Sequence, residues 1–111
     1  MRAGSPVKLS QLETLVLSAT SDDYESLAWL TKGRREELGD AIDETMVEDC
    51  LRRLARDGLV DVFHYDPKAA KHDFVPCSFE SGKPAGELWF YITKKGCEAV
   101  EENWNSEWND L

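Results

Sequence analysis

The chain has 111 residues, enough for one domain with a modest core and too few for several. Hydrophobic residues at 41% and charged residues at 32% exclude a disordered chain, and no apolar run approaches the roughly 20 residues of a membrane span. Twenty-two acids against 13 bases leave a net charge of −9, a field that repels nucleic acid at long range.

In chain order, Met1 to Lys8 carries no apolar stretch of the signal-peptide kind, so a cytoplasmic protein is expected. Ser10-Gln11-Leu12-Glu13 has the form of a capping box and announces a first helix, whose apolar stripe is Leu12, Leu15, Val16 and Ala19. After a break at Ser18 to Asp23, a second helix is expected from near Asp22 to Gly39, with Tyr24, Leu27, Leu30 and Leu38 inward. Asp43 as N-cap and Gly58 as stop bracket a third helix with Val47, Cys50, Leu51 and Leu54 on one face.

Leu59 to Tyr65 has strand character, ended by Asp66-Pro67. Residues 68–86 read as a loop, Leu88 to Ile92 as a second, aromatic-rich strand. Thr93 caps a last helix, about 94–108, whose stripe is Cys97, Val100, Trp104, Trp108 and Leu111. A short third strand is expected near Ala41 and Ile42. The predicted core is Leu12, Leu15, Val16, Leu27, Val47, Leu51, Leu54, Val60, Phe90 and Ile92.

Two pieces of this order resemble a known family. The run from Cys50 to Val60 is similar to the "L-x-x-L-x-x-x-G-L-V" end of a winged-helix recognition helix. The run from Trp89 to Gly96 resembles the "Y-x-[LI]-T-x-x-G" that follows the wing in PadR-like and MarR-like regulators. The two lie about 30 residues apart in the right order. The resemblance spans about 9–104 and implies one α+β domain over 1–111. Its architecture would be a winged helix-turn-helix: a three-helix core, a two- or three-stranded β-wing with its loop at about 66–87, and a C-terminal helix. Those families mostly bind DNA, but a fold does not carry a function with it.

The third helix is the first place to look for DNA contacts. Thr45, Asp49, Arg52 and Arg56 fall on its outer face, flanked by Glu48 and Arg53, and Lys68 and Lys71 lie in the wing. In helix-turn-helix docking the N-terminal part of this helix meets the bases. Here that part carries Asp43, Glu44, Glu48 and Asp49. Glu48 with Arg52, and Asp49 with Arg53, stand at the spacing of helix ion pairs, the pattern of a solvated face.

Four tryptophans point to protein contacts instead. Trp89 belongs to the sheet. Trp29 faces away from Leu27 and Leu30, and Trp104, Trp108 and Leu111 extend the last helix, where they either pair with a second copy or cover the first helix. Cys50 and Cys97 are read as buried small hydrophobes and Cys77 as a loop thiol. His64, His72 and Cys77 match no metal-ligand spacing, and no nucleophile, phosphate-loop or zinc motif is present, so neither a metal, a cofactor nor catalysis is expected. The expected function is a non-catalytic protein-interaction or regulatory module with an acidic DNA face, its partner a protein or a second copy. The alternative is a dimeric DNA-binding regulator using the third helix and the wing.

Overall fold

A computed structural model describes residues 8–68 and 74–105. Four α-helices and a four-stranded antiparallel sheet make an α+β fold. The helices are α1 (Gln11–Ala19), α2 (Leu27–Leu38), α3 (Glu44–Arg56) and α4 (Lys94–Asn103). The strands are β1 (Glu25–Ser26), β2 (Val60–Tyr65), β3 (Phe74–Cys77) and β4 (Leu88–Ile92), in the spatial order β1-β4-β2-β3. The helices cover one face of the sheet.

Local chemistry sets the helix starts. Ser10 caps α1 as a full capping box: its hydroxyl accepts from Glu13 N at 3.1 Å, and Ser10 N donates to Glu13 Oε1 at 2.8 Å. Asp43 accepts from Met46 N to cap α3. Gly58, at φ 77°, takes the left-handed conformation that turns α3 into β2.

α2 does not start at Asp22. Its N-cap is Ser26, and the preceding Glu25 and Ser26 pair with Phe90 and Trp89 as β1. Tyr24 is therefore not on a helix; its ring lies on the sheet face away from the helices. The short extra strand sits here and not near Ala41 and Ile42. Ile42 is a buried core residue, and its carbonyl accepts from Arg35 Nε at 2.7 Å. The segment expected as loop contains β3 and two short 3-10 turns, Phe79–Ser81 and Ala85–Glu87.

The core joins α1, α2, α3 and the inner sheet face. Nine of the ten expected core residues are buried, from Leu15 and Val16 to Phe90 and Ile92, and Leu12 is half-buried against them. Leu17, Leu30, Ile42, Leu59, Val62, Leu88 and Ala99 complete it.

α4 corrects a second expectation. It ends at Asn103, and Trp104 is its extended C-cap (φ −66°, ψ 134°), short of the expected 108, while Trp108 itself lies outside the described residues. Its buried positions are Gly96 and Ala99, with Val100 half-buried. Cys97 is exposed. The cause is Gly96: a Cβ there would overlap the Leu59 carbonyl oxygen and stand 2.7 Å from Ile92 Cγ1. The helix backbone approaches the α3–β2 turn at Gly96, which turns Cys97 to solvent. Thr93 completes the joint: its hydroxyl accepts from Gly96 N and donates to Gly58 O at 2.8 Å, while Thr93 N donates to Leu59 O.

Candidate functional site

The outer face of α3 is exposed at Glu44, Thr45, Asp49, Arg52, Arg53 and Arg56. Its bases are already engaged. Arg52 reaches Glu48 at 2.9 Å, one turn back, and its guanidinium lies 4.5 Å above the Phe79 ring. Arg53 does not pair with Asp49 as the spacing suggested. It bridges to α1, with Nη1 2.7 Å from Glu13 Oε2, Nη2 on the Lys8 carbonyl, and Asp57 at 3.8 Å. Arg56, 74% exposed at its side chain, stands 3.7 Å from Asp57. The first turn offers no base to offset Asp43 and Glu44.

Between α3 and the β2–β3 hairpin lies a cleft of about 270 Å³, lined by Arg52, Arg56, Cys77 and Phe79, with Asp61 and Glu80 at its sides. Cys77 is half-buried in β3, not in a loop. Burial pushes its thiol up, while a hydrogen bond with Ser81 and the charge of Lys83 act against that shift. Lys68 is exposed at the hairpin, its backbone N–H donating to Asp66 Oδ1. Lys71 lies outside the described residues. The described basic residues of α3 and hairpin thus do not form one continuous positive surface: carboxylates alternate with them.

Of the expected interface residues, Trp29 is 61% exposed at the start of α2, with Lys32 Nζ 5.0 Å from its ring centre. Trp104 is 36% exposed at the end of α4. Trp108 and Leu111 lie outside the described residues. Trp29 and Trp104 come from opposite ends of different helices.

Among the described residues the largest aromatic assembly is elsewhere, on the sheet face that carries none of the four helices. Strand alternation turns Phe63 and Tyr65 of β2, and Trp89 and Tyr91 of β4, to this side. Phe74 of β3 joins them, 5.3 Å from Trp89 and 5.8 Å from Tyr65. Tyr24 closes the group: it stacks on Phe74 at 4.2 Å, meets Phe63 edge-on at 5.0 Å and lies 5.2 Å from Tyr91. Tyr65 is half exposed and the other five are partly exposed. The sequence carried four of these six rings in the period-two aromatics Phe63/Tyr65 and Trp89/Tyr91. Tyr24 and Phe74 carried no such signal, because the first was read into a helix and the second into a loop.

The edges of this face favour side-chain recognition over strand addition. β1 has two residues, and Pro76 removes a backbone donor from the outer strand β3. Among the described residues, no three His, Cys, Asp or Glu side chains gather to hold a metal, and no helix is long and apolar enough to cross a membrane. Comparison with protein-family models and with curated proteins finds no match to this chain.

Proposed function

We propose that the chain is a winged-helix domain acting as a non-catalytic protein-interaction module, with a third helix no longer suited to DNA. In this reading β1, β4 and β2 form the small sheet of the fold, the β2–β3 hairpin is the wing, and α3 takes the position of a recognition helix. The succession of elements and the joint between Gly58, Thr93 and Gly96 support it.

The observation that carries the functional part is the neutralisation of α3. Arg52, Arg53 and Arg56 each lie within 4 Å of a carboxylate of the same chain. A phosphate would have to displace those partners, and the end of the helix that meets bases in such folds is acidic. Exposed aromatics, with the partly exposed sheet cluster the largest group, supply contact area of the kind that dominates protein interfaces. The partner is a second protein or a second copy of this chain.

The test is titration of a fluorescent mixed-sequence duplex at low and at moderate salt, with molecular mass from light scattering on the same sample. No binding at either salt is expected. Binding that weakens steeply with salt and is lost in an Arg52→Ala, Arg56→Ala double variant would overturn the reading in favour of a DNA-binding regulator.

A further inference from the structure

The aromatic face of the sheet is asymmetric in charge. Tyr91 stands at one end of the cluster, 5.2 Å from Tyr24, whose ring also meets Phe63 and Phe74. Asp22 and Asp23 lead directly into Tyr24, and both are exposed. Asp61 is exposed on β2, in register with Tyr91 and on its side of the strand by alternation, and it also borders the cleft that holds Arg52 and Arg56. None of these three carboxylates forms an ion pair with a described residue, in contrast to the paired acids Glu48, Glu13 and Asp57 around α3. Among the described residues of the hairpin, the base Lys68 follows Tyr65, at the other end of β2 from Asp61.

Aromatic rings present a negative face, and a cation placed over one is attracted by it. Guanidinium suits such a place better than ammonium: it is planar, stacks on rings and forks onto carboxylates.

We propose that the Tyr91 end of the sheet face, with Asp61 in register beside it and Asp22 and Asp23 leading into the neighbouring Tyr24, binds an arginine-bearing segment of a partner protein. The arginine lies over the ring of Tyr91, beside Tyr24, and reaches a carboxylate with its N–H groups. This rests on the interaction-module reading and assigns it a surface and a partner chemistry.

The test is an amide-resolved NMR titration of the full chain with a hexa-arginine amide peptide, repeated with hexaglutamate and with a short single-stranded oligonucleotide. Shifts centred on Tyr24, Asp61 and Tyr91 are expected with hexa-arginine alone. Tyr91→Leu keeps an apolar side chain but removes the π face, and should weaken binding about two- to fivefold. Asp23→Asn with Asp61→Asn should weaken it further and flatten its salt dependence. The variants' own amide spectra report whether the fold is intact.

Peptide shifts confined to the acidic residues of α2 or α4, or an affinity unchanged in Tyr91→Leu, would mean attraction by net charge alone and would overturn the proposal. So would equal shifts with the oligonucleotide, which would make the face a base-stacking platform. These results leave the interaction-module reading standing, since that one falls only if duplex binds through α3.

Discussion

Arg53 of α3 donates to Glu13 of α1 at 2.7 Å, 40 residues away, and the same Glu13 carboxylate closes the capping box of its own helix. Glu13 is buried, 6% exposed, so this one side chain both ends and anchors α1. Removing it leaves the Ser10 N–H without its acceptor and takes from the Arg53 guanidinium its shortest carboxylate contact, with the Lys8 carbonyl and Asp57 remaining. Glu13→Ala should cost about 2–3 kcal/mol, the sum of a lost cap and a charged hydrogen bond. Glu13→Gln can still accept from Ser10 N and should cost less. Urea unfolding of both variants checks the order; equal costs would show that the capping bond to Ser10 contributes nothing, and a costless Glu13→Gln would show the same of the ion pair.

Gly96 and Gly33 both lie inside helices, where propensity alone makes alanine better. Their surroundings give opposite signs. Gly33→Ala meets nothing within 4 Å and should stabilise by about 0.5–1 kcal/mol. Gly96→Ala puts a methyl into the Leu59 carbonyl and should destabilise by about 2–3 kcal/mol as α4 is forced off the α3–β2 turn. Thermal melts of the pair are decisive, because a stabilised Gly96→Ala would mean α4 does not pack as described.

The three thiols should separate by reactivity. Cys97 is exposed, while burial, with Glu13 and Asp49 nearby, pushes the Cys50 thiol up to about 11. Timed alkylation read by mass spectrometry should label Cys97 first and Cys50 last.

The Cys50 shift also makes stability depend on pH at the alkaline end. A raised thiol keeps its proton in the folded state where the unfolded chain has lost it. Its contribution is therefore full below the ordinary thiol range and is lost as pH rises through about 11. Across that window the wild type should lose stability more steeply than Cys50→Ala. Parallel slopes in denaturant midpoint against pH would rule this out.

Trp29 and Tyr24 divide surface from structure. Trp29, 61% exposed, contacts Lys32 through its ring, so Trp29→Ala should change stability by no more than about 0.5–1 kcal/mol. Tyr24 meets three aromatic rings, and Tyr24→Ala should cost about 2–4 kcal/mol. A comparable loss in both would place Trp29 in a contact within the chain.

Much of the architecture was written locally. Ser10 with Glu13, Asp43, Gly58 and Thr93 mark helix ends by groups that act within four residues, and the apolar stripes of α1 and α3 follow from helical period. Such signals need no knowledge of the rest of the chain. What failed were positions where a distant partner decides. Asp22 and Ser26 are both adequate caps, and Ser26 prevails because Glu25 and Ser26 find β4 and Tyr24 finds Phe74. Cys97 looked apolar-facing by period, but the approach of Gly96 to Leu59 rotates α4.

The site divides in the same way. The acidic start of α3 and its arginines could be read from spacing, as could the Glu48–Arg52 pair, since i and i+4 meet on any helix. That Arg53 turns instead to Glu13 depends on how α1 and α3 pack. The aromatic face is the larger case: its six rings come from four segments of the chain that only sheet pairing brings together. Sequence by itself determined the helices, their caps and the charge of α3, because these rest on neighbours in the chain. Tertiary structure alone decided which aromatics share a surface and which carboxylates there are left unpaired, because sheet register is a contact between segments that carry no information about each other's position.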